Sequence, residues 1–149
     1  MLVSPPPRSP HAALLARGIH PVGWRPGALV AESDPDLRRI IVDALTQDGF
    51  VVSEARDADE LVEIAYCTRQ EDNSPPALVV SDVQLSGCGG FRALDELQPT
   101  LAGAVILVIS ACLDELVLAE AWRVGAAGVL GKPFALDELR SAALALVGR

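Results

Sequence analysis

The sequence predicts an α/β protein, a doubly wound (βα)5 fold with a five-stranded parallel sheet covered by helices on both faces. Three observations predict it. Short apolar runs alternate along the chain with segments whose apolar residues recur at helical spacing. The runs are apolar throughout, as strands buried on both faces require. Strands that alternate with helices must pair in parallel, because a parallel pair needs a long crossover, and such crossovers are right-handed.

The alternation begins at Ala28–Ala31, a short apolar run followed by Asp34-Pro35, a helix N-cap with proline at the first helical position. Leu37, Ile40, Ile41, Ala44 and Leu45 then share one helix face until Asp48-Gly49 ends it. Phe50–Ser53 reads as the second strand and Ala58–Thr68 as the second helix, with Leu61, Ile64 and Ala65 on its apolar side. The polar stretch Arg69–Pro76 reads as a loop before the third strand, Ala77–Ser81. Gly87, Gly89 and Gly90 mark a turn, followed by a short helix through Leu97. Ala104–Ile109 is the fourth strand and Leu113–Val124 the fourth helix. Gly128–Leu130 is the fifth strand, and Leu136, Leu139, Ala143, Leu146 and Val147 line the last helix.

The 149 residues suffice for one domain, and with half of them apolar a packed core is expected. The longest apolar runs, Ala104–Ile109 and Ala142–Val147, fall far short of the roughly 20 residues that span a bilayer, so no membrane insertion is expected. Cys67, Cys88 and Cys112 have neither zinc-site nor disulfide spacing and read as reduced thiols, which implies a cytoplasmic protein. Residues 1–27 hold six of the eleven prolines, three arginines and no acid, so they read as a disordered leader ahead of a domain over 28–149. With that leader at +3, the domain carries −11, a charge that repels nucleic acid and argues against direct DNA binding.

In an open α/β sheet the functional crevice lies beyond the carboxyl ends of the strands. Each end here carries a polar residue behind an apolar run: Glu32, Ser33 and Asp34 after the first strand, Asp82 after the third, Ser110 after the fourth, and Lys132-Pro133 after the fifth. Singly, Asp82 could open a turn, Ser110 and Asp34 could cap helices, and Glu32 could be a solvated strand end. Lys132 is harder to dismiss, because it is the only lysine against eleven arginines. Lysine supplies a compact point charge on a thin stem, which arginine does not. Together the residues suit phosphoryl transfer. A carboxylate nucleophile, a lysine and carboxylates able to hold Mg²⁺ would neutralise charge on the transferring group.

The segments LVAESDPDLR (29–38), LVVSDVQLSGCGG (78–90), VILVISA (105–111) and GAAGVLGKPF (125–134) resemble the receiver domains of two-component response regulators. The resemblance runs from about Ala28 to Val147. It implies a flavodoxin-like sheet of order 2-1-3-4-5. It also implies a phosphoacceptor at Asp82, supplied by a sensor histidine kinase or phosphotransfer protein. Lys132 would bind phosphate, joined to Pro133 by a cis peptide, and Ser110 would be the switch hydroxyl. Mg²⁺ would be held by Glu32, Asp82 and the Gln84 backbone carbonyl. A downstream protein target would dock on the face made by the fourth helix, fifth strand and fifth helix. Such a protein modifies its own aspartate and is not otherwise an enzyme.

Two positions depart from the family pattern. The family usually has two adjacent acids after the first strand, and here Glu32 is followed by Ser33, so weakened Mg²⁺ affinity is expected, with Asp34 a possible substitute ligand. The family's aromatic switch residue on the fifth strand is Val129 here. Ser33 favours an alternative, a pseudo-receiver that binds partners without phosphate. A flavodoxin-like nucleotide-binding enzyme is disfavoured, since no glycine-rich phosphate loop follows Ala31.

Overall fold

The computed structural model describes residues 1–4, 25–72, 75–87 and 89–148. Five strands lie parallel: β1 (Gly27–Ala31), β2 (Val51–Ala55), β3 (Leu78–Asp82), β4 (Val105–Ser110) and β5 (Gly128–Gly131). Between and after them run α1 (Pro35–Gln47), α2 (Ala58–Asp72), α3 (Gly90–Glu96), α4 (Glu115–Arg123) and α5 (Leu136–Val147). The parallel strands follow the order 2-1-3-4-5, and a sixth short strand, Leu2–Val3, pairs antiparallel to the outer edge of β5.

The central strands have the burial that their continuous apolar runs imply. All five residues of β3 are buried, as are all but the first of β1 and of β4. Two cores result, one on each face of the sheet. Leu29, Val79, Val108 and Val129 pack toward α2, α3 and α4 on one side. Val30, Val80, Leu107, Ile109 and Leu130 pack against Ile41, Leu45 and Leu139 of α1 and α5 on the other. Neighbouring residues of each strand therefore serve opposite layers, which is the period-two geometry of a strand.

Helix α1 starts where Asp34 and Pro35 predict. Asp34 Oδ1 accepts from the backbone N–H groups of Asp36 and Leu37 at 2.9 and 3.4 Å. Helix α2 is longer than expected: it continues through Asp72, so the loop reading of Arg69–Pro76 was too early by a turn. Arginine, glutamine and glutamate are good helix formers, so polarity alone does not end a helix. Pro75-Pro76 follow shortly after, and prolines cannot continue a helical ladder.

Both ends of the segment read as a leader take part in the sheet. Leu2–Val3 is a sheet strand, and Gly27 opens β1 opposite Val51. Composition favoured disorder, but an open strand edge offers backbone partners to any extended segment that reaches it. Residues 5–24 of that leader lie outside the described residues. Cys67 and Cys112 are free and exposed, and Cys88 also lies outside the described residues. Among the described residues no helix is long and apolar enough to cross a membrane.

Candidate functional site

Strand register brings the polar strand ends together. Ala31 lies opposite Ser81, Asp82 opposite Ile109, and Ser110 opposite Gly131, so Glu32, Asp82, Ser110 and Lys132 emerge along one rim of the sheet. Glu32, Asp82 and Ser110 are all buried, at 1%, 4% and 1% exposure. Such burial is costly for carboxylates unless a charge or hydrogen bonds compensate. Here Lys132 compensates both. Its Nζ lies 2.5 Å from Asp82 Oδ2 and 3.1 and 3.2 Å from the two oxygens of Glu32.

The remaining oxygens are also held. Gln84 donates its backbone N–H to Asp82 Oδ1 at 2.8 Å, and Asp34 donates its own to Glu32 Oε1 at 3.2 Å. No buried side-chain nitrogen or oxygen among the described residues lacks a partner. The electrostatic consequence is uneven. Burial, and then the neighbouring Asp82, push the Glu32 carboxyl above its ordinary range, more than Lys132 and the Asp34 amide lower it. Burial pulls Lys132 down, but its bonds to Asp82 and Glu32 outweigh this and hold its ammonium above the ordinary lysine range.

The expected site residues do not all converge. Ser110 directs its hydroxyl into its own loop, donating to the Cys112 carbonyl at 2.6 Å and accepting from the Cys112 N–H at 3.1 Å. A serine behind a strand satisfies itself locally in this way when no other acceptor is near. Ser33 is exposed, and Asp34 is spent on capping α1, so neither reaches the cluster through its side chain in the contacts seen. Asp34 therefore caps α1 through Oδ1. Gln84 enters through its N–H. The Lys132–Pro133 peptide is cis.

Two residues that support the site were not read as such in the sequence. Arg38, one turn beyond the cap on α1, donates Nη1 to the Glu32 carbonyl at 2.8 Å and Nε to Glu54 Oε1 at 2.9 Å, which fixes the backbone from which Glu32 projects. Gly90 lets α3 approach β3: a Cβ there would come within 2.2 Å of the Asp82 carbonyl oxygen. An arginine four residues after an N-cap at a strand end is a signal that could have been read. Nothing in the sequence separates Gly90 from the ordinary turn glycines beside it.

Chemically, the rim offers a buried carboxylate beside a cation and a second carboxylate. Among the described residues no three His, Cys, Asp or Glu side chains group as a metal site. Two carboxylates nevertheless fit Mg²⁺, which takes one or two of them and completes its shell with phosphate oxygens and water.

A family model described as the response regulator receiver domain matches residues 28–144. The chemotaxis protein CheY of Bacillus subtilis is 30% identical over 115 residues, covering 76% of this chain and 91% of that protein. The C4-dicarboxylate transport transcriptional regulatory protein DctD of Pseudomonas aeruginosa is 32% identical over 111 residues, which is 74% of this chain but 23% of that protein. Among solved structures, chemotaxis response regulator CheY4 of Vibrio cholerae superposes with a TM-score of 0.73 at 22% identity, covering 83% of this chain and 99% of that one. At that identity the likeness concerns the fold alone.

Proposed function

The chain belongs to the response regulator receiver domain family of two-component signalling, and from that premise we propose that it is a phosphoacceptor switch whose acceptor is Asp82. The observation that supports this reading is Lys132 Nζ held between the buried carboxylates of Asp82 and Glu32. A purely structural ion pair needs one acid for one lysine. Here two buried acids converge on it, and one of them, Glu32, is held above its ordinary titration range.

Asp82 Oδ attacks phosphorus on a phosphohistidine of a sensor kinase or phosphotransfer protein. The P–N bond breaks, the imidazole leaves, and an acyl phosphate forms on Asp82. Charge spreads over the equatorial oxygens, and Lys132 moves from neutralising the carboxylate to neutralising the phosphoryl group. Glu32, Asp82 and the Gln84 carbonyl are the groups that would hold Mg²⁺, which receiver domains generally use and which supplies a second compensating charge. For Ser110 to donate to the phosphoryl oxygens it must leave Cys112, so modification pulls on the 110–114 loop ahead of α4. The signal is then read by a protein target on the α4–β5–α5 face, in the cytoplasm.

Acetyl phosphate with Mg²⁺ should add one phosphoryl group to the wild-type chain by intact mass and none to Asp82→Asn. A wild-type chain that stays unmodified at saturating donor would instead support the pseudo-receiver alternative, which the exposed Ser33 favours. Ser33→Asp places a third acid beside the pair and is expected to tighten Mg²⁺ binding roughly tenfold or more by calorimetry, as the loss of even an indirect metal partner costs about that much.

Readout should run through Ser110 and not through Val129. Val129 is fully buried and has one stiff side-chain torsion, so it cannot swing between buried and exposed positions as a ring does. With beryllofluoride as the phosphate mimic, amide exchange across residues 111–134 should change in wild type and in Val129→Ala but not in Ser110→Ala. The reverse pattern would refute this route.

A further inference from the structure

The outer edge of β5 is occupied by the chain itself. Leu2 pairs with Leu130 and Val3 with Val129, and Gly131 donates its N–H to the Met1 carbonyl at 3.4 Å. The two side chains serve opposite layers. Val3 packs against the core under α2, α3 and α4, and Leu2 against the core under α1 and α5. The seat is shaped for them: a Cβ at Gly128 would come within 2.9 Å of Leu2 Cδ1. Beside Leu2 runs a groove walled by Asp137, Glu138, Ser141, Ala142 and Ala145 of α5. The Met1 amino group reaches Glu138 at 3.4 Å.

At two residues this strand is shorter than the usual length of roughly 3–10, so few ladder hydrogen bonds hold it. An edge strand without it would present free N–H and C=O groups to any extended chain. We propose that the β5 edge is a strand-addition site for a protein partner, and that Met1–Ser4 is a displaceable occupant that the partner must expel. The occupant states the chemistry of that partner. It is an extended segment running antiparallel to β5, with two consecutive aliphatic residues facing Leu130 and Val129. A cation precedes them and meets the acids at the start of α5. Main-chain bonds would supply affinity and the two side-chain seats specificity, as in other strand-addition complexes. Because the native occupant is tethered, a competitor in solution works against its effective concentration. The inference concerns an edge away from Asp82 and does not rest on phosphorylation.

The test is a titration of the full-length ¹⁵N-labelled chain with an end-capped peptide, Lys-Leu-Val-Ser, in wild type and in a Leu2→Asp, Val3→Asp double variant. The peptide should shift the amides of residues 128–131 in both. Apparent affinity in the variant should be roughly tenfold higher or more, because the tethered competitor is gone. In wild type, excess peptide should also speed amide exchange at Val3, a readout that does not depend on the variant's folding. Adding Glu138→Lys to the double variant should weaken peptide binding, and Asp82→Asn should leave it unchanged. Equal affinity in the two chains, or no shift at residues 128–131 in either, overturns the proposal. Dimerisation of the peptide-free variant in sedimentation would give the edge to a second copy, and would overturn it too.

Discussion

Lys132→Met is expected to cut the rate of Asp82 modification by about a hundredfold or more, the usual cost of removing one preorganised charge from a developing anion. It should also destabilise the fold. Lys132 is the shared cation of two buried carboxylates, and without it Glu32 and Asp82 face each other uncompensated. Breaking a fully buried pair costs about 3–5 kcal/mol. The Lys132 side chain is 25% exposed, so water screens part of this and about 2–3 kcal/mol is expected near neutral pH. The pH dependence has a definite sign. A carboxyl whose folded pKa is raised binds its proton more tightly in the folded state, so acidification favours the fold at Glu32. The deficit of Lys132→Met should therefore narrow as pH falls through the raised Glu32 titration. Lys132 itself, with its folded pKa raised, contributes stability below the ordinary lysine range and loses it as pH rises through the folded value. Urea unfolding of both chains at several pH values checks this. A deficit that grows on acidification would contradict the assignment of Glu32 as the raised group.

Gly90→Ala should be the most damaging single-methyl change near the site. Glycine to alanine inside a helix ordinarily stabilises by about 0.5–1 kcal/mol. Here the added carbon would lie 2.2 Å from the Asp82 carbonyl oxygen and 3.0 Å from Val83 Cα. Both are backbone atoms, and no flexible side chain can give way. Overpacking costs typically about 1–3 kcal/mol. With rigid backbone on the far side the upper end should apply, so the net change is a loss of about 2 kcal/mol or more. The shift of β3 away from α3 should also move the Asp82 carboxylate off Lys132 and slow its modification. Thermal unfolding and the acetyl phosphate assay on the same sample test both effects. A variant as stable and as reactive as wild type would show that α3 yields freely.

What could be read in advance divides by the range of the interaction. The five parallel strands and their helices were legible because buried strands and amphipathic helices carry periods of their own, as at Ala104–Ile109 and Leu37–Leu45. Glu32, Asp82 and Lys132 were legible because each ends an apolar run, and the sheet then gathers strand ends onto one rim. Leu2–Val3 was not, because two residues show no period and the prolines after them argued for disorder. Arg38 was missed because its use depends on Glu54, sixteen residues away on β2, and on a backbone carbonyl that no side-chain pattern announces. Ser110 was correctly placed at its strand end, but its hydroxyl turns to Cys112, a local preference that competes with the site and that spacing alone does not reveal. The capping half of the Asp34 reading was legible from Asp34-Pro35, and two backbone N–H groups at the start of α1 do claim its Oδ1.

The central claim is that Asp82, and not the equally buried Glu32 beside it, becomes the acyl phosphate. Borohydride reduces an acyl phosphate to an alcohol and marks the carboxyl that carried it. Treating the acetyl phosphate-modified chain with borohydride and sequencing its peptides by mass spectrometry should find the reduced side chain, homoserine, at position 82 alone. Reduction at Glu32, or at no position in a chain that had gained a phosphoryl group, would contradict it.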